Sequence, residues 1–65
     1  MKLTINGKAR ELTATTVAEA LAAEGFADAR VATALNGNFV PAAIRATTPL
    51  SPGDALEVVA PMQGG

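Results

Sequence analysis

A chain of 65 residues has room for one domain, and at that size folding hides only about 60% of the surface the unfolded chain exposes. Its net charge is −1, and its five basic residues, Lys2, Lys8, Arg10, Arg30 and Arg45, are scattered and offer no stripe for a phosphate backbone, so no nucleic-acid partner is expected. With no Cys and no His the chain has no disulfide, no thiolate or imidazole metal site, no thiol nucleophile and no Ser-His couple, which removes most small-enzyme chemistry, so a protein that is not itself an enzyme is expected.

Lys2 to Ile5 alternates polar and apolar residues, and Asn6-Gly7 follows as a two-residue turn tolerant of positive φ, so a hairpin opens the chain. The return strand is placed at Ala9 to Thr13, with Leu12 as its core residue. Thr16 stands three residues before Glu19, the spacing at which a Thr hydroxyl accepts from the Glu amide while the Glu side chain reaches back. A helix starts there, and Val17, Ala20 and Leu21 form its apolar stripe. Gly25 ends it. Phe26 and Leu21 then take the two positions whose side chains touch in a Schellman ending.

Val31 to Leu35 reads as a strand with Val31, Thr33 and Leu35 on one face, running into a second Asn-Gly turn at Asn36-Gly37. Asn38 to Val40 is the return arm, stopped by Pro41, which cannot donate to a ladder. Ala42 to Ala46 is read as a single helical turn. Pro52-Gly53 fits the middle of a type II turn, and the strongest strand of the chain, Ala55 to Ala60, follows it. Along that strand Val59 faces away from Leu56, Val58 and Ala60. An open face there would make Val59 part of a partner site; single exposed apolar residues are also ordinary.

Hydrophobic residues make up 49% of the chain, many of them alanine, which removes little area from water. The expected core is therefore Leu3, Ile5, Leu12, Val17, Leu21, Phe26, Val31, Leu35, Phe39, Val40, Ile44, Leu50, Leu56 and Val58. Strand, strand, helix, strand, short strand, strand is an α+β order. We divide the chain into a domain at 1–61 and a flexible tail at 62–65. The Asn-Gly pairs are read as turns and nothing more. No window approaches the roughly 20 apolar residues of a membrane span, so a soluble cytoplasmic protein without membrane contact is expected.

The tail is the one segment that invites a chemical reading. A carboxylate is a poor acyl donor: it is fully charged above a pKa of about 3.5 and has no leaving group. Activation as a mixed anhydride with AMP would supply one, and the adjoining residues must then thread into another protein's nucleotide site. Gly64 and Gly65 suit that, because a residue without Cβ lets a groove close on bare backbone. On the dipeptide alone, a frayed end is an equal alternative.

The segment Val31-Ala32-Thr33-Ala34-Leu35-Asn36-Gly37-Asn38-Phe39-Val40-Pro41, the Leu50-Ser51-Pro52-Gly53-Asp54 turn and the closing Glu57-Val58-Val59-Ala60-Pro61-Met62-Gln63-Gly64-Gly65 resemble the thiamine-biosynthesis sulfur carriers of the ThiS family, over the whole chain. The resemblance implies a ubiquitin-like β-grasp fold: a mixed sheet of four to five strands, first and last strands parallel at its centre, one main helix crossing one face. It implies that an E1-like adenylating enzyme, using ATP and Mg²⁺ that this chain does not itself bind, activates the Gly65 carboxylate. Sulfur drawn from a persulfide made by a cysteine desulfurase would replace AMP, and the thiocarboxylate would serve thiazole synthase. Gly64 would thread, and Val59, Pro61, Met62 and Gln63 are candidate docking residues. The family often carries a base directly after Val-Pro, whereas this chain has Ala42 and Ala43 there and its nearest base at Arg45. A molybdopterin-synthase-type carrier, a carrier for another sulfur-containing metabolite, and a β-grasp interaction module whose end is never activated are the competing readings; a ferredoxin is excluded because no Cys can hold iron.

Overall fold

Two Asn-Gly turns and one capped helix organise the computed structural model, which describes residues 1–27 and 30–60. Asn6 and Gly7 both adopt positive φ, 53° and 81°, the signature of a type I′ turn whose twist matches that of the flanking strands. The turn sets the register Ile5↔Lys8 between β1 (Lys2–Ile5) and β2 (Lys8–Glu11). That register ends the return strand at Glu11 and leaves Leu12 beyond it. Leu12 is thus not a core residue of β2 but a half-buried neighbour of the core, its N–H donating to the Met1 carbonyl at 2.9 Å.

The helix α1 (Val17–Ala23) has the expected termini. Thr16 Oγ1 accepts from the Glu19 N–H at 3.2 Å. Glu19 reaches one residue further back than a standard box: its Oε1 accepts from both the N–H of Thr15, at 2.7 Å, and its hydroxyl, at 2.9 Å. At the other end Gly25 sits at φ 85°, and the N–H groups of Phe26 and Gly25 donate to the carbonyls of Leu21 and Ala22 at 2.7 and 3.2 Å, which is the Schellman pair.

Past the helix come β3 (Ala32–Leu35), β4 (Asn38–Val40), a 3-10 helix (Ala42–Thr47) and β5 (Ala55–Val59). The Asp54 N–H donates to the Ser51 carbonyl at 3.1 Å across Pro52-Gly53, with Gly53 at φ 87°, so the type II turn forms as expected. Its sheet runs β2-β1-β5-β3-β4. β5 is parallel to β1 and antiparallel to β3, the mixed arrangement of a β-grasp.

Leu3, Ile5, Val40, Leu56 and Val58 from the sheet meet Val17, Ala20 and Leu21 from α1, with Ala14 and Leu50 closing the ends. Of the residues expected in the core, Leu12, Phe26, Val31 and Leu35 are only half-buried and pack against its edge, and two are exposed: Phe39 at 69% and Ile44 at 46%, the latter on a 3-10 helix that buries none of its residues. Adjacent strand residues point to opposite faces, so with Val40 turned inward Phe39 must turn out. Conversely Thr33, a polar residue, is 1% exposed.

Candidate functional site

β5 is the strand that hands the chain over to residues 61–65, and it is the middle strand of the five. Ladders hold it on both sides, Thr4↔Ala55 and Ile5↔Leu56 against β1, and Ala32↔Val59 through Leu35↔Leu56 against β3. The parallel ladder with β1 is short, and β1 ends at Ile5 while β5 continues. Two asparagine side chains extend the hold.

Asn6 Oδ1 accepts from the Val58 N–H at 2.8 Å, and Asn6 Nδ2 donates to the Val58 carbonyl at 3.1 Å. The carboxamide thus imitates one more residue of β1 alongside β5. Asn36 does the related job at the start of β5: its Oδ1 accepts from the Ala55 N–H at 2.9 Å and its Nδ2 donates to Asp54 Oδ1 at 3.0 Å. Both Asn-Gly pairs are turns, as read from the sequence, yet more was implied: each turn presents the side chain that fixes one end of β5. No local signal could have revealed this, because Asn6 and Val58 lie 52 residues apart.

The register assigns the two faces. Thr33, Val40 and Val58 share the helix-covered side, while Ala32, Ala34, Phe39, Glu57 and Val59 share the other. On that open face Val59 is 62% exposed, as its strand position predicts, and the Phe39 ring joins it with the small Ala32 and Ala34 between. An exposed aromatic and an exposed valine on one sheet face that no described element covers form an apolar patch near the end of β5. Phe39 was missed as a site residue; the two-residue period of the strand was the available signal.

Arg45 stands where a family base would have to be sought, since Ala42 and Ala43 are uncharged and exposed. Its guanidinium is turned into the protein: Nε donates to Thr33 Oγ1 at 3.0 Å, and one terminal nitrogen donates to the Val31 carbonyl. Arg45 therefore braces the start of β3, next to the Ala32↔Val59 pair. It also lines a shallow groove of about 340 Å³ with Ala18, Leu21, Ala27, Ala42 and Ala46, which offers no titratable or nucleophilic group besides it. Among the described residues no cluster of carboxylates could hold a metal ion. Glu19 has its carboxyl held below the usual carboxylate range, first by the Thr15 N–H and then by the Thr15 hydroxyl, but this belongs to the helix cap. Pro61, Met62, Gln63, Gly64 and Gly65, with the proposed domain boundary at 61, lie outside the described residues.

The geometry therefore offers no catalytic centre in the described residues, and instead a rigid strand leading to the tail beside an apolar face. No described helix is long and apolar enough to cross a membrane. No curated protein sequence matches the chain. A crystal structure of the thiamine biosynthesis protein (ThiS) from Geobacter metallireducens is similar over 100% of both chains, with 35% identity and a TM-score of 0.84. An NMR solution structure of a thiamine biosynthesis protein from the same organism covers 100% of this chain and 88% of that one, at 33% identity and a TM-score of 0.79. The model of the ThiS family matches residues 3–65.

Proposed function

The chain belongs to the ThiS family, and from that premise we propose that it is a cytoplasmic sulfur carrier for thiamine biosynthesis whose reactive group is the Gly65 carboxylate. It contributes a handle and no catalysis. The observation that carries the reading is β5: the middle strand of the sheet, fixed at Ala55 and Val58 by two side-chain clamps, is followed in the sequence by Ala60 and then Pro61-Met62-Gln63-Gly64-Gly65.

An E1-like adenylating enzyme supplies ATP and Mg²⁺. The carboxylate oxygen attacks the α-phosphorus, pyrophosphate leaves, and the acyl-adenylate gains the leaving group a bare carboxylate lacks. The terminal sulfur of a persulfide, charged by a cysteine desulfurase, then attacks the acyl carbon and expels AMP. A thiol cleaves the resulting S–S bond to free the thiocarboxylate. Thiazole synthase takes the sulfur for the thiazole ring. Gly64 has no side chain to obstruct the adenylating site.

Docking in this scheme uses the open sheet face. Val59 and Phe39 present apolar surface that loses its water on contact, and Pro61, Met62 and Gln63 continue the contact toward the nucleotide site, Met62 adapting its shape to the groove it meets. Arg45 is committed to Thr33 and Val31, so docking does not use a base after Val-Pro.

The test is ATP-pyrophosphate exchange by the adenylating enzyme. The intact chain should stimulate exchange, and a chain lacking Gly65 or extended beyond it should not. Equal exchange with and without Gly65 would overturn the proposal.

A further inference from the structure

Asn6-Gly7 combines two properties whose combination has a chemical consequence. Glycine after asparagine leaves the backbone nitrogen unhindered, and Asn6 and Gly7 are both exposed, so solvent base and water reach the turn. The asparagine side chain, however, is held at both of its polar atoms by Val58. We propose that Asn6 is a deamidation site gated by its clamp on β5, and that deamidation irreversibly loosens the tail-proximal end of that strand.

The reaction consumes one water and releases one ammonia. The Gly7 backbone nitrogen loses its proton to solvent base and forms a bond to Asn6 Cγ. The Cγ–Nδ2 bond breaks, and the nitrogen leaves as ammonia after taking up a proton. Water opens the five-membered succinimide at one of its two carbonyls, giving aspartate or, with the main chain rerouted through the side chain, isoaspartate. No electrons are transferred. Ring closure requires the carboxamide to turn away from Val58 onto the Gly7 nitrogen, so both clamp bonds must break first. The reactive form is therefore a locally opened state.

Once formed, aspartate cannot restore the clamp. Keeping one carboxylate oxygen on the Val58 N–H would force the other to where Nδ2 donated, 3.1 Å from the Val58 carbonyl oxygen. Two acceptors, one of them charged, would then face each other across a part-buried contact, so the repulsion there pushes the whole carboxylate off Val58. Isoaspartate adds a backbone atom to a two-residue turn and shifts the register it sets. Asn36-Gly37 is an internal comparison, because its side chain is also held, but at Ala55 and Asp54, the far end of β5. Asn38 precedes Phe39, whose side chain hinders the same closure.

The experiment ages the full chain at mildly alkaline pH, native and in denaturant, and maps aspartate and isoaspartate at Asn6 and Asn36 by peptide mass spectrometry. Asn6 should deamidate roughly tenfold or more slowly in the native chain than in the unfolded one. The aged native product, and separately the Asn6→Asp variant, should show faster hydrogen exchange at Val58 while β3 and β4 keep their protection. Equal deamidation rates in native and unfolded chains would overturn the gating. Unchanged Val58 exchange in the isolated product would overturn the loosening, and that product is available even where Asn6→Asp fails to fold.

Discussion

Replacing Thr33 by valine should destabilise the protein although valine is the better strand former. Thr33 is 1% exposed, and its hydroxyl donates to the Val40 carbonyl at 2.7 Å while accepting from Arg45 Nε at 3.0 Å. Valine has the same shape and neither bond. Loss of a neutral hydrogen bond costs about 0.5–1.5 kcal/mol and of one to a charged donor about 1.5–3 kcal/mol. Valine's propensity and its extra apolar surface return about 1 kcal/mol. The net loss is then about 1–3.5 kcal/mol, a Tm decrease of about 4–28 °C for a domain this small. Thermal unfolding followed by circular dichroism reads it. Thr33→Ser keeps the hydroxyl and should cost less, and Arg45→Met combined with Thr33→Val should show coupling, the pair costing less than the two singles summed. A Thr33→Val chain as stable as the wild type would refute the idea that this hydroxyl holds β3, β4 and the 3-10 helix together.

Phe39→Ser and Val59→Ser should each change stability by less than about 0.5 kcal/mol, as exposed positions do, while weakening adenylating-enzyme binding in calorimetric titration; unchanged affinity in both would remove the open face from the docking surface. Leu56→Ala, at a position 1% exposed, should cost about 2–5 kcal/mol, read by urea denaturation. Glu19 has a folded-state pKa lowered by Thr15, so its stabilising contribution is present above its unfolded pKa and is lost as pH falls through the folded value. The stability gap between wild type and Glu19→Gln should accordingly be largest near neutrality and close on acidification, with a pH-independent gap counting against the cap.

Local chemistry was the legible part of this chain. Thr16, Glu19, Gly25, Phe26, both Asn-Gly turns and Pro52-Gly53 each mark their element through contacts a few residues apart, and all of them appear in the structure. What was illegible depends on distant partners. Thr33 is buried because Arg45 and Val40 satisfy its hydroxyl, and Asn6 is a clamp because β5 returns beside β1. Phe39 is outside the core because the strand period turns it outward beside the inward Val40, and Ile44 because the 3-10 helix that carries it buries none of its residues. The same period, applied to β5, placed Val59 correctly.

At the candidate site, Val59, the strand leading to the tail and the outward turn of Phe39 are readable from alternation and turn signals, whereas the placing of Phe39 on the same face as Val59 needs the registers of β3 with β4 and β5. The reading of Gly64 and Gly65 as the reactive end rests on exclusion and position, since no Cys or His offers another chemical handle and the pair follows closely on the strongest strand.

The central claim is that Gly65 carries sulfur, and the mass of the intact chain tests it most directly. After incubation with the adenylating enzyme, ATP, Mg²⁺ and a persulfide donor, the chain should show exchange of one oxygen for sulfur, and fragmentation should locate the change at Gly65. No mass change, or a sulfur located anywhere else in the chain, would contradict the account.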